Sequence, residues 1–203
     1  DWKPGKHGGT IRVPIIASDV RSHEIALAMG MSILRSPDQS SKDPLPAIVS
    51  EYGISEDYTE FTFKIREGLK WSDGMPVTTE DVRMTFELYG DKRIYPTFYF
   101  RAVAPDGSVP KLTIQDKYRF KLKFNVPYGF FLANLASWIP DYTLLFRPAH
   151  FIKQFHADYT DLEQIKPILK KNELDRWEKL VQLKDMQHWE LYRPHGLGVP
   201  TLA

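Results

Sequence analysis

YTEFTFKIREGLKWSDGMPVTTEDVRMTFELY, residues 58–89, holds a strand, a polar turn, a helix cap and a helix in one unbroken run. Phe61, Phe63 and Ile65 alternate with Thr62, Lys64 and Arg66, and that period of two marks a strand with one apolar face turned inward. Ser72-Asp73-Gly74 is turn chemistry: glycine tolerates a positive φ, and short polar side chains bond their own backbone. Pro76 biases Met75 toward an extended backbone. Thr78 is placed to cap a helix, with Glu80 and Asp81 in the first turn, where the helix dipole favours acids. Val82, Phe86 and Tyr89 then share one helical face, and Gly90 is a natural stop. Nothing in the run is catalytic by pattern. Its residues alone specify a mixed α/β unit.

The same signals place the other elements. Residues 1–10 are polar and glycine-rich and lead into a strand at Ile11–Ile16. Gly8-Gly9 is not followed by the lysine or the G-x-G-x-x-G of a phosphate loop. Residues 17–24 form a polar loop in which Asp19 or Ser22 could cap a helix from about His23 to Met31. Lys111–Phe124 reads as a hairpin turning at Asp116-Lys117, with Leu112 and Ile114 facing Tyr118, Phe120, Leu122 and Phe124. Pro127 ends it, and Phe130, Phe131, Leu132 and Leu135 predict a short buried helix. A buried strand is expected at Tyr142–Phe146. A helix is expected over Arg147–His156, with Pro148 tolerated in its first turn. Asp161–Trp189 is expected to be one amphipathic helix with an Asp175–Lys179 pair. Tyr95, Phe98, Tyr99 and Phe100 are an aromatic cluster that fits local packing under a loop.

Composition sets limits on function. The chain has 203 residues, with 27 Lys and Arg against 26 Asp and Glu. That balance argues against a nucleic-acid or anionic-membrane partner. It has no cysteine, so disulfides and thiolate chemistry are excluded. No G-x-S-x-G elbow, H-E-x-x-H or P-loop occurs. His150 and His156 lie six residues apart and do not share a helical face, which leaves no spacing suited to zinc. Glu80-Asp81 is explained by the helix dipole rather than by paired-carboxylate catalysis. No cofactor is implied.

FTFKIREGLKWSDGMPVTTEDVRMTFE, residues 61–87, resembles the hallmark segment of the peptide/nickel-type solute-binding proteins of ABC importers, family 5 of the extracellular solute-binding proteins. In that family the segment runs aromatic-x-aromatic-x-Leu-Arg, then Trp/Phe-Ser-Asp-Gly-x-Pro-x-Thr-x-Asp. Gly8–Val13, Leu45–Glu51, the 111–124 hairpin and Arg147–His156 are similar to further stretches of the family, in the same order.

The resemblance implies an α+β fold, the N-terminal part of a type II (cluster C) periplasmic-binding-protein fold with mixed sheets and flanking helices. Residues 1–48 would be the first part of lobe I, 49–140 an inserted smaller domain and 141–203 the return into lobe I. Members are much longer, so a fragment lacking the second lobe is expected. The residues from Asp1 onward show no basic n-region followed by an apolar h-region, and an export signal is expected to have been removed. The loop after the first strand would line the ligand cleft, which makes the backbone of Val20, Arg21, Ser22 and His23 the candidate ligand-binding residues. The implied partners are a small solute, most often a peptide but also nickel, haem, a sugar or an opine, and a membrane permease. The compartment would be the periplasm, or the extracellular side with a membrane anchor, and the face left for the second lobe could support a dimer. An enzyme of unknown reaction and an interaction domain without a ligand stay open as alternatives.

Overall fold

The fold was analysed in a computed structural model, which describes residues 32–36, 43–71, 73–96, 104–136 and 145–185. Two short strands, β1 (Leu34–Arg35) and β2 (Leu45–Pro46), pair antiparallel. The main sheet is formed by β3 (Val49–Ile54), β4 (Glu60–Ile65), β5 (Lys111–Ile114) and β6 (Arg119–Lys123), in the order β3-β4-β6-β5 and antiparallel throughout.

Alternation decides which face is buried. Phe61, Phe63 and Ile65 of β4 and Phe120 and Leu122 of β6 lie inward, while Thr62, Lys121 and Lys123 point out. Phe63 sits opposite Phe120, and their rings stack with centroids 5.1 Å apart. On the outer face Glu60 is opposite Lys123 and takes ammonium contacts from Lys121 at 2.9 Å and Lys123 at 2.8 Å. Each buried ring removes enough apolar surface from water to contribute about 1.5–3 kcal/mol. Phe131, on helix α2 (Phe131–Leu135), closes the end of this core against Phe61 at 4.9 Å and Phe124 at 4.8 Å.

Helix α1 (Thr79–Gly90) covers the sheet. Val82 and Tyr89, with half-buried Phe86, join the sheet core, as the stripe in the sequence predicts. A second stripe, Met84 and Leu88, faces away from the sheet. It packs into another core with Ile94, Ile152, Phe155, Ile165, Leu180 and Val181. The helix is therefore a wall shared by two apolar clusters. The second cluster is built from α3 (Ala149–Ile152), a 3₁₀ turn at Lys153–Phe155, α4 (Leu162–Lys171) and α5 (Trp177–Asp185).

Two expectations change. The single helix predicted from Asp161 is two helices. Asn172 side-chain Nδ2 donates to Ile168 at 2.7 Å, Leu174 N–H reaches Leu169 O at 3.0 Å, and Glu173 takes a left-handed φ of 55°. That is a Schellman stop without a glycine, so no residue type announces it. The strand expected at 142–146 falls partly outside the described residues. Leu145 and Phe146 are fully buried in the sheet core but lie in non-strand backbone.

Candidate functional site

The hallmark turn is a structural device. Residues 69–71 and 73–77 are tied together like a miniature hairpin: Trp71 N–H donates to Met75 O, Gly74 N–H to Trp71 O and Val77 N–H to Leu69 O, at 2.8, 2.8 and 3.0 Å. Gly74 has φ +87°, a conformation that favours glycine, and Asp73 accepts the Met75 N–H at 3.1 Å. Trp71 is fully buried. The bonds and angles of these groups shape the chain, with Trp71 buried and Asp73 and Gly74 at the surface.

The turn delivers Thr78 and Asp81 into a reciprocal capping box, with the Thr78 N–H donating to Asp81 Oδ2 at 2.8 Å. The other carboxylate oxygen of Asp81 accepts the Ala149 N–H at 2.9 Å, and the Asp81 carbonyl accepts the Arg147 N–H at 3.1 Å. Burial pushes the Asp81 carboxyl up, against hydrogen bonds from Thr78, Ala149 and Trp71 that favour its charged form. His150 Nε2 reaches Asp73 Oδ2 at 2.6 Å, so the turn also grips α3 through side chains. Behind this joint, Arg147 is buried in an ion pair with Asp185 and a hydrogen bond to the Tyr89 hydroxyl. The Tyr95 hydroxyl donates to the same Asp185 at 2.7 Å. Tyr95 thus packs locally, with its ring 5.3 Å from that of Tyr89. Phe98, Tyr99 and Phe100 lie outside the described residues.

Among the described residues, an open concavity of about 430 Å³ lies between the outer face of α1 and the 156–159 turn, lined in part by Phe86, Glu87, Asp91, His156, Asp158 and Tyr159. Asp91, His156 and Asp158 bring one ligand-type atom each within 4.8 Å of one another, a spacing that could suit a metal. Part of their acceptor capacity is taken up by a neighbouring cation. The Arg93 guanidinium bonds Asp91 at 2.9 Å and Asp158 at 3.1 Å, and its side-chain hydrogen bonds hold both carboxyls below the usual range. His156 Nδ1 accepts the Asp158 N–H at 3.2 Å, which leaves the proton of the neutral ring on Nε2, facing Asp91. Ligation by either ring nitrogen would have to displace that hydrogen bond or that proton. The contacts present make the cluster an ion-pair node around Arg93.

The sequence-derived candidates Val20, Arg21, Ser22 and His23 lie outside the described residues. The structure does bring together Asp81, Asp73 and His150, which the sequence separates by up to 77 positions. The Asp91–Arg93–His156–Asp158 node was not legible beforehand, because no local spacing links Asp91 to a turn beginning 65 residues later.

Comparison with known proteins gives a consistent picture. The family described as bacterial extracellular solute-binding proteins, family 5 Middle, matches residues 43–176. The di/tripeptide-binding protein 1 of Pseudomonas aeruginosa (strain UCBPP-PA14) is 28% identical over 172 residues, covering 78% of this chain and 32% of that protein. The probable D,D-dipeptide-binding periplasmic protein DdpA of Escherichia coli (strain K12) is 29% identical over 126 residues, covering 60% of this chain and 22% of its own length. Among solved structures, the oligopeptide-binding protein OppA superposes with a TM-score of 0.68 at 24% identity, over 88% of this chain and 26% of that one. HbpA2 from Haemophilus parasuis gives 0.53 at 19% identity, over 71% of this chain and 30% of that one. The fold is that of type II periplasmic binding proteins, a mixed α+β architecture, and the chain spans 32% or less of these relatives' lengths.

Proposed function

Because the chain belongs to family 5 of the bacterial extracellular solute-binding proteins, we propose that it forms part of the solute-binding component of an ABC importer and serves to capture peptides for uptake through a membrane permease. The observation that carries this reading is the continuous family match over residues 43–176, which takes in the main sheet, α1, α3 and α4. Relatives named for di- and tripeptides and for D,D-dipeptides favour peptide over other solutes. The relatives are named as binding proteins, and we extend that to a role without turnover.

The finer features belong to the same proposal. Val20, Arg21, Ser22 and His23 line the cleft with their backbone. Residues 1–48 and 141–203 contribute to one lobe and 49–140 form the inserted domain, the Asp81–Ala149 contact then being a joint between the last two. The protein works in the periplasm, or extracellularly while anchored to the membrane. No helix among the described residues is long and apolar enough to cross a membrane. A second copy associates through the surface left for the second lobe.

Thermal unfolding of the complete gene product tests the reading, with di- to pentapeptides, Ni²⁺, haem and oligosaccharides offered separately. A saturable rise in Tm with peptide, and recovery of that peptide intact, is the expected result. Hydrolysis of the peptide, or a rise with another solute alone, overturns it.

A further inference from the structure

We propose that His156 is an acid-sensitive lock on the 156–160 turn, released when its ring takes a second proton. The inference is independent of what solute the protein binds. It rests on where the lone pair of Nδ1 goes. The ring is buried, in contact with the rings of Trp177 at 4.7 Å and Tyr159 at 5.3 Å. Nδ1 accepts the Asp158 N–H at 3.2 Å. A proton added at Nδ1 would point at that N–H, turning a hydrogen bond into a donor–donor clash. The ring cannot turn over freely while it is buried against the tilted Trp177 ring and in an edge contact with Tyr159.

The turn carries several dependents. Tyr159 N–H and Thr160 N–H both return to His156 O at 2.9 Å, the Tyr159 hydroxyl donates to Glu87 at 2.5 Å, and Arg93 holds Asp158. Releasing the turn therefore opens the wall of the concavity against α1. The charged groups facing the imidazole are Asp158 on its own turn and, from α1 and the residues after it, Glu87, Asp91 and Arg93; α5 offers the neutral Trp177 ring. Burial pushes His156 below the usual imidazole range; Asp158, Asp91 and Glu87 oppose that and Arg93 reinforces it. The neutral, locked form is then the one present near neutrality, and acid releases it.

Amide exchange in the 203-residue chain, compared at about pH 7.5 and about pH 5, reads the lock directly. Protection of the Asp158 and Tyr159 amides should fall by about tenfold at the lower pH, after correction for intrinsic rates, while that of the Phe63 amide in β4 should not. His156→Asn places a carbonyl oxygen where Nδ1 was and cannot be protonated, so its protection should be the same at both values. Equal acid loss in wild type and His156→Asn, or no loss in wild type, overturns the proposal. Should the variant not fold, the unaltered chain decides. The His156 ring and the Asp158 amide should titrate by NMR with one shared midpoint, below 6.5; separate midpoints overturn it.

Discussion

Asp81 and Ala149, 68 residues apart in the chain, are joined by a 2.9 Å hydrogen bond from the Ala149 N–H to the Asp81 carboxylate. The same carboxylate caps α1 through the Thr78 N–H at 2.8 Å. One buried side chain therefore starts a helix and fastens the segment that begins the second apolar cluster. Asp81→Ala leaves two backbone donors without their partner, each worth about 1–3 kcal/mol. We expect a loss of about 2–4 kcal/mol by urea denaturation, with Asp81→Asn milder because one acceptor survives. A loss within about 0.5 kcal/mol, the range of ordinary surface changes, would show that the joint is not needed.

Gly74 makes a separate prediction from backbone alone. A methyl group added there would meet nothing within 4 Å, so sterics do not forbid alanine. The cost comes from φ +87°, which L residues adopt with strain. Gly74→Ala should destabilise by about 1 kcal/mol or somewhat more. Unchanged stability in the same denaturation experiment would contradict the turn geometry.

These two residues show how far the sequence can be read. Turn, cap and stripe are local signals, and the hallmark run places Gly74, Thr78 and α1 correctly from its own letters. The hairpin at 111–124 was readable for the same reason, since a period of two survives without tertiary context. Met84 and Leu88 were not assigned a partner, because a second stripe on one helix gains meaning only when another cluster covers it. The Schellman stop at Glu173 escaped because its left-handed residue is not a glycine. The node around His156 escaped because Asp91, Arg93 and Asp158 converge only in the fold. The cleft residues 20–23 were inferred from family resemblance rather than from local physics, and they lie outside the described residues.

The 55–59 turn should carry a pH dependence of its own. Hydrogen bonds from the Ser55 side chain, then from the backbone and side chain of Thr59, lower the Asp57 carboxyl from 3.8 to about 2. A depressed carboxylate contributes stability that is present above its unfolded pKa and lost as pH falls through the folded value. The window is therefore from about pH 4 down to about pH 2. The turn also holds Tyr58 at φ 55°, so releasing it relaxes an unfavourable backbone. Asp57→Asn should remove this part of the acid limb and lower stability at neutral pH, bringing the variant toward the stability the wild type keeps in acid. Denaturation curves at stepped pH values test it; an identical acid slope in the variant would rule the turn out as the source.

The last expectation concerns what the 203-residue chain can bind by itself. In the resembled family the ligand is enclosed between two lobes, and closure removes water from around it. This chain spans 32% of the di/tripeptide-binding relative and 26% of OppA. Of the enclosing surface it would supply one wall, the backbone of Val20–His23. Backbone groups on a wall open to solvent exchange hydrogen bonds with water for hydrogen bonds with ligand, and the net gain is small. Peptides should therefore bind these 203 residues with a Kd of roughly millimolar or weaker, equivalent to about 4 kcal/mol or less. Calorimetry with a mixed pool of di- to pentapeptides measures it. Micromolar, saturable heat would mean that the site is complete within this chain. It would then have to lie elsewhere than in an inter-lobe cleft, and the concavity beside His156 would be the first place to test by substitution.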